Sequence, residues 1–227
     1  MCIDNLSLGQ LKLLNPRAYN AAMSYIMIDN YEDFLDRLYS AMDKIIVSLQ
    51  ENPNIYGDMT EDQLTQIIID RLKGHDFNAY SDPNTGGHVD LRIDYPGTNY
   101  LWLGEAKIDN NKEHVYEGFL QLTTRYATGE KNQTAGGIII YIKNHPAVDF
   151  MSEIKEHIQQ QINPISISVC PERGDWVFNI ETNLPRVGGN ISYHIRNMGV
   201  SLYFLPEDKS GRTAKKYQRK RKATTSI

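Results

Sequence analysis

The run Tyr100-Leu-Trp-Leu-Gly-Glu-Ala-Lys-Ile108 narrows the fold more than any other stretch of the chain. Read as a strand, it sets Leu101, Leu103, Glu105 and Lys107 on one face and Trp102, Ala106 and Ile108 on the other. Apolar residues on both faces describe an interior strand covered on each side. Glu105 and Lys107 would each cost several kcal/mol to desolvate there unless a partner or a metal ion compensates. Glu-x-Lys recurs at Glu153/Lys155 and Glu207/Lys209. The former lies in an amphipathic helical pattern, where residues two apart do not face each other. The latter borders a polar tail. Only Glu105 and Lys107 share one surface of a strand.

The surrounding pattern supplies the layers that such a strand needs. Helical periodicity runs from Pro16 to about Gln50, with Tyr19, Met23, Ile26, Phe34, Leu38, Met42, Ile45 and Leu49 on one stripe. After a break at 51–58, Thr60 and Gln63 form a capping box that opens a second helix through Leu64, Ile68 and Leu72 to Gly74. A loop at 81–87 leads into a strand at 89–94, joined to the Glu105 strand by the turn Tyr95-Pro-Gly-Thr-Asn99. Helices at about 113–127 and 148–161 and strands at 137–142, 165–169, 176–180 and 200–205 follow. Strands interleaved with helices predict a mixed α/β core. The expected organisation is a helical N-terminal region 1–56, a core 57–208 and a basic, disordered tail 209–227.

With 227 residues, 41% of them hydrophobic, the chain can build one good-sized core. No apolar run approaches the roughly eighteen residues of a membrane span. The first residues lack the basic start and apolar stretch of a signal peptide. Cys2 and Cys170 form neither a zinc motif nor a disulfide framework. A soluble cytoplasmic protein with no membrane partner is expected. The net charge of −4 conceals a split. Residues 209–227 hold eight basic residues and no acidic one, leaving a net of −12 on the first 208. Such a tail, with Lys215, Lys216, Arg219, Lys220, Arg221 and Lys222 at its centre, reads either as a nucleic-acid-binding arm or as a solubilising terminus.

If residues 95–100 make the turn, Asp94 pairs with Leu101 and Asp90 falls opposite Glu105 on the same face. A one-residue slip would turn them apart. Asp94, roughly 13 Å further down the strand, is then a polar residue near the hairpin end. Two carboxylates converging beside a lysine meet the needs of metal-assisted phosphodiester hydrolysis. Hard oxygens hold Mg²⁺ or Mn²⁺, which keeps waters and takes substrate phosphate as a ligand. The ion polarises the phosphate, and the lysine stabilises the charge that develops. The same residues also admit a buried structural ion pair. His88 lies two residues before Asp90, and the six histidines show no metal-ligand spacing.

Gly86-Gly-His-Val-Asp90, and Gly104-Glu-Ala-Lys-Ile108 with fourteen residues between Asp90 and Glu105, resemble the PD-(D/E)XK, or restriction-endonuclease-like, nuclease superfamily. The resemblance covers about residues 60–142 and, more loosely, the strands to 205. It implies a restriction-endonuclease-like mixed sheet flanked by helices, with Asp90 and Glu105 as metal ligands, Ala106 as a backbone-carbonyl ligand and Lys107 as the catalytic lysine. Val89 stands where the name-giving proline would be. Many members carry an acidic residue on the helix before the first core strand. Glu61, on the inward stripe with Leu64 and Ile68, fits that place better than Asp62, although first-turn acids are also expected from the helix dipole. Many also carry a glutamine on the helix after the catalytic strand, here Gln121. Exonuclease-like relatives have Gln-x-x-x-Tyr, whereas here Arg125 is the fourth residue on and Tyr126 the fifth. Arg125 reads equally as a phosphate contact or an exposed helix arginine. The resemblance further implies DNA as substrate, a setting in restriction or anti-phage defence, and a homo-oligomer or a larger protein partner. Two other classes stay open: a non-catalytic nucleic-acid-binding module, and an effector subunit active only with a protein partner.

Overall fold

The computed structural model describes residues 7–17, 19, 23, 28–82, 87–188 and 190–206. In chain order its elements are α1 (Leu8–Leu14), α2 (Tyr31–Gln50), α3 (Pro53–Tyr56), α4 (Glu61–Lys73), β1 (Asn78–Asp82), β2 (Val89–Asp94), β3 (Leu101–Ile108), α5 (Lys112–Gln121), β4 (Ala135–Ile142), α6 (Ala147–Gln161), β5 (Ser166–Cys170), β6 (Gly174–Asn183) and β7 (Ser192–Ser201). A π-helical turn, Leu122–Tyr126, continues α5. The tail residues Lys215, Lys216, Arg219, Lys220, Arg221 and Lys222 lie outside the described residues. Among the described residues no helix is long and apolar enough to cross a membrane.

The strands form one seven-stranded sheet in the order β1-β2-β3-β4-β7-β6-β5. β3, β4 and β7 run parallel, and the outer pairs are antiparallel. This is an α/β architecture with a mixed sheet between helical layers. On one face, Phe34, Leu38, Met42 and Leu49 of α2 and Leu64 and Ile68 of α4 pack on Trp102, Ala106, Ile139, Tyr141 and Met198. On the other, Val115 and Phe119 of α5 and Phe150, Ile154 and Ile158 of α6 cover Leu101, Leu103, Ile138, Ile140 and Ile195. α2 thus belongs to the same core as the sheet, and no packing boundary falls at residue 56.

Every residue of β4, and every residue of β3 up to Lys107, is buried. Trp102 needs space that only glycine leaves. A Cβ at Gly104 would lie 2.5 Å from its ring, and one at Gly137 2.6 Å from it. The β2–β3 register runs Asp94↔Leu101, Ile93↔Trp102, Arg92↔Leu103 and Leu91↔Gly104, as the turn predicts. The capping box at Thr60 and Gln63 is present, with both reciprocal hydrogen bonds.

Three local expectations are corrected. No strand is expected between Gly74 and residue 89, because Asn-Ala-Tyr-Ser-Asp has no apolar alternation; β1 exists there as an edge strand paired to β2. The last strand spans Ser192–Ser201 rather than 200–205. Its polar residues hide it: Arg196 is buried against Asp43 at 2.9 Å, and Asn197 is wholly buried. Finally, α2 starts at Tyr31 behind the N-cap Asn30, whose side chain accepts the Asp33 N–H, so the 16–50 pattern is not one helix.

Candidate active site

The β2–β3 ladder ends at Leu91↔Gly104, while β3 continues four residues further to Ile108. Beyond that point, the β3 edge that faced β2 carries backbone groups with no strand to pair them. Side chains take their place. Ala106 N–H donates to Asp90 Oδ2 at 2.9 Å, and Ile108 N–H donates to Glu61 Oε2 at 2.8 Å. N–H and C=O of a strand residue point to the same edge, so the Ala106 carbonyl shares this notch. Two acidic residues, one from the start of α4 and one from β2, are thereby drawn to the two residues flanking Lys107.

Glu105 and Lys107 lie on the adjoining face, under α5. Lys107 Nζ donates to Glu105 Oε2 at 2.8 Å and stands 3.7 Å from Asp90 Oδ2. Glu105 is 2% exposed. Its burial, then the neighbouring Asp90 carboxylate, push its pKa up to about 7 despite the opposing pull of Lys107. Burial acts to lower the Lys107 pKa, but Glu105, Asp90 and Glu61 together outweigh it and leave it raised. Burial also raises the pKa of Glu61, with Lys107 acting against it. Glu105 and Asp90 therefore flank a single ammonium, and Glu61 adds its charge from further off.

α5 is set over this cluster by a short turn and the cap Asn111, whose side chain accepts the His114 N–H at 2.8 Å. Gly118 faces the Lys107 stem, and Gln121, three residues on, shares that helical face. Gln121 Oε1 is buried, as is Glu105 Oε1, and neither has a hydrogen-bond partner among the described residues. Two orphaned oxygens in one interior are costly. Residues 122–126 then take one extra residue per turn, with the Ala127 N–H bonded to Leu122 O at 3.0 Å. A π turn sets residue i+5 close to where i+4 would stand in an α-helix. Tyr126, five residues after Gln121, is therefore brought inward. It is 2% exposed, and its hydroxyl donates to His88 O at 2.9 Å. Burial and the nearby Glu105 raise its pKa.

The remaining predicted residues fall at the margin. The exposed Arg125 has its guanidinium 5.3 Å from the Tyr126 ring centroid and close against Gly87. His88 Nδ1 is 3.7 Å from Asp90 Oδ1. Asp94 is held away, by Asn78 at 2.7 Å and Tyr80 at 3.2 Å. Sequence reasoning misses Gly118, and it leaves Tyr126 out of the site because that residue stands one place too far from Gln121. A glycine inside a helix, which costs about 1 kcal/mol against alanine, was a readable signal for the first. For Tyr126 the near-match in spacing is visible in the sequence, but the π turn that takes up the extra residue cannot be inferred from periodicity.

Among the described residues, no group of three or more His, Cys, Asp or Glu side chains is gathered closely enough to hold an ion alone. Asp90 and Glu105 converge, while Glu61 Oε2, like Asp90 Oδ2, accepts a backbone N–H of β3. That suits a cation such as Mg²⁺, which takes one or two carboxylates and completes its shell with waters and substrate oxygens. The unpartnered Glu105 Oε1 gives it a waiting donor. Comparison with family models, with curated proteins and with solved structures finds no match to this chain.

Proposed function

We propose that the chain is a metal-dependent nuclease of restriction-endonuclease-like fold that hydrolyses phosphodiester bonds, with DNA as substrate. The observation that supports it most is the convergence of Glu61, Asp90 and Glu105 on the segment Ala106–Lys107–Ile108 at the point where β2 leaves β3. A structural ion pair needs one acid for one lysine. Three acids around one buried lysine, with an orphaned carboxylate oxygen, cost stability and call for a role.

Asp90 and Glu105 would hold Mg²⁺ or Mn²⁺, with the Ala106 carbonyl available to the same ion. When bound, the ion polarises the phosphate and lowers the pKa of a coordinated water. Lys107 keeps its proton, because its carboxylate neighbours raise its pKa. It therefore acts as a donor, orienting the attacking water and stabilising the charge gathering on the phosphoryl oxygens. Glu61 pins the end of β3 and holds Lys107 in place from the other side. Gln121 Oε1, buried and unpartnered on the helix that carries Gly118, is free to accept from the water. Tyr126 fixes the backbone at His88, two residues from Asp90.

Supercoiled plasmid incubated with Mg²⁺ is the direct assay. Nicking or linearisation that needs the metal and disappears in both Glu105→Ala and Lys107→Ala is expected. Persistent binding without cleavage by the unaltered chain would leave a nucleic-acid-binding module instead.

A further inference from the structure

Asp109, two residues beyond Lys107, is a wholly buried carboxylate that takes no part in the site described above. It continues the alternation of β3 that places Glu105 and Lys107 on one face. Its N–H donates to Tyr141 O at 3.1 Å, which sets it beside the end of β4. There the chain turns back over it. Asn144 N–H donates to Asp109 Oδ2 at 2.8 Å, and Asn144 Nδ2 donates to Oδ1 at 3.0 Å. His145 Nδ1 stands 2.9 Å from the same Oδ2. A carboxylate that already accepts two amide donors has no proton to give, so the ring proton at this contact is on Nδ1.

The ring is fixed in a second way. It stacks on Phe150 of α6, with centroids 4.8 Å apart and planes 7° from parallel. Phe150 belongs to the layer that covers Leu101 and Leu103, the face shared by Glu105 and Lys107. The imidazole therefore stands on the side of the sheet where Lys107 stands. Its side chain is 44% exposed, and its Nε2 has no partner among the described residues. Fastening the turn after β4 needs only the two bonds from Asn144. The third bond and the stack add something else: they lock an imidazole in one orientation, with a single nitrogen open to a ligand.

Resting on the nuclease reading of the site, we infer that His145, oriented by Asp109, is a phosphate contact that holds the substrate backbone beside the scissile bond. Asp109 lies about 7 Å along β3 from Lys107, and the imidazole is one hydrogen bond further, so Nε2 stands roughly 10 Å from Lys107. A duplex strand rises about 3.4 Å per phosphate, which places the contacted phosphate about three nucleotides from the cut. The ring takes a proton from solvent as the strand binds. Nδ1–H stays on Asp109 and Nε2–H donates to a phosphoryl oxygen, a charge-assisted bond from a cation held between two anions. Lys107 cannot serve this purpose, because Glu105 and Asp90 already flank it. Phosphate contacts fix the position and register of a strand without reading its bases. A rigid ring one strand away from the reacting centre suits that task.

The test uses the full chain, a fluorescein-labelled DNA duplex of about 30 base pairs, and Ca²⁺ in place of Mg²⁺ to suppress cleavage. Binding is titrated by anisotropy at about pH 6.5 from about 50 to 300 mM KCl. His145→Ala, and His145→Phe, which keeps the stack on Phe150, should each flatten the slope of log K against log salt by about 0.9, one phosphate contact. Cleavage kinetics with Mg²⁺ should show KM raised about tenfold in both, with the loss carried by KM rather than kcat, because the contact is made alike in the ground and transition states. Asp109→Asn, which loosens the ring, should raise KM by a smaller factor. His194→Ala, at an exposed histidine opposite the start of β4, should change neither slope nor KM. Thermal melting checks that each variant folds. An unchanged slope in both His145 variants, an equal loss in His194→Ala, or no binding by the full chain would each overturn the contact. An unchanged KM in Asp109→Asn would overturn the part given to Asp109. If the full chain cleaves with Mg²⁺ while the His145 variants keep its slope and KM, the contact fails alone. If the slope responds but Mg²⁺ brings no cleavage, the nuclease reading fails and the contact stands.

Discussion

Gly118 lies directly against Lys107: a Cβ at Gly118 would sit 3.0 Å from Lys107 Cε and 3.1 Å from Cγ. The lysine stem therefore runs through space that α5 leaves only because residue 118 lacks a side chain. Alanine at this helical position favours folding by about 1 kcal/mol, while crowding of the stem opposes it. Gly118→Ala is expected to change stability by less than about 1 kcal/mol and yet to lower cleavage roughly three- to tenfold, because the stem must give by a few tenths of an ångström and a misplacement of about 1 Å costs on the order of a hundredfold. Urea denaturation and initial cleavage rates measured side by side check it. Parallel losses in both would mean that the glycine serves packing alone.

Glu105 and Lys107 make stability depend on pH in an unusual direction. The Glu105 carboxyl titrates at about 7 in the folded chain against an ordinary 4.5. Between those values the folded state binds more protons than the unfolded one, so stability falls as pH rises through that window. The loss is about 3 kcal/mol, complete above pH 7. Glu105→Gln removes this titration. Wild type should lose about 2.5 kcal/mol more than Glu105→Gln between pH 5 and pH 8, measured by urea denaturation of both in metal-free buffer. Matching pH profiles would show that Glu105 is not strained by its burial.

A divalent cation should relieve that strain. Mg²⁺ at about 10 mM, binding a site with a dissociation constant near 1 mM, stabilises the folded state by about 1.4 kcal/mol. Asp90→Asn and Glu105→Gln should each abolish the gain, whereas Asp94→Asn, at a residue held by Asn78 and Tyr80, should keep it. The readout is a denaturation midpoint and needs no activity. An equal shift in all four proteins would mean that Mg²⁺ acts elsewhere.

The π turn predicts how the helix tolerates a deletion. Removing the exposed Thr124 leaves Gln121 and the tyrosine four residues apart, the spacing of an ordinary α-turn, so the Tyr126 hydroxyl should still reach His88 O. The deletion should cost little, about 1 kcal/mol or less, the scale of the Thr124 hydroxyl bond to Leu120 O that it removes. Tyr126→Phe should cost a similar amount but should also lower cleavage, by loosening the backbone next to Asp90. Loss of folding on deletion would show that the π turn is required by packing rather than by the tyrosine's position.

Part of this site could be read without coordinates because its determinants are local. The double-sided burial of β3 follows from the alternation of Leu101, Trp102, Leu103 and Ala106. The register that brings Asp90 toward Glu105 follows from the six-residue connection Tyr95-Pro-Gly-Thr-Asn-Tyr100. The start of α4, and with it the place of Glu61, follows from the capping box at Thr60. Each depends on interactions spanning a few residues to one hairpin.

What lay beyond that reach was settled by contacts remote in sequence. β1 is a strand because β2 lends it a partner, and β7 buries Arg196 because Asp43, 153 residues away, meets it. Gly118 acquires its meaning from Lys107 across a helix–sheet interface, and Tyr126 from His88 across a loop. The joint edge at which β3, β4 and β7 end exists only through parallel pairing by crossover connections. Side-chain periodicity reports which face of an element is buried. It carries no record of which distant element does the burying, because that choice is made by the shapes and charges of whole surfaces as they close.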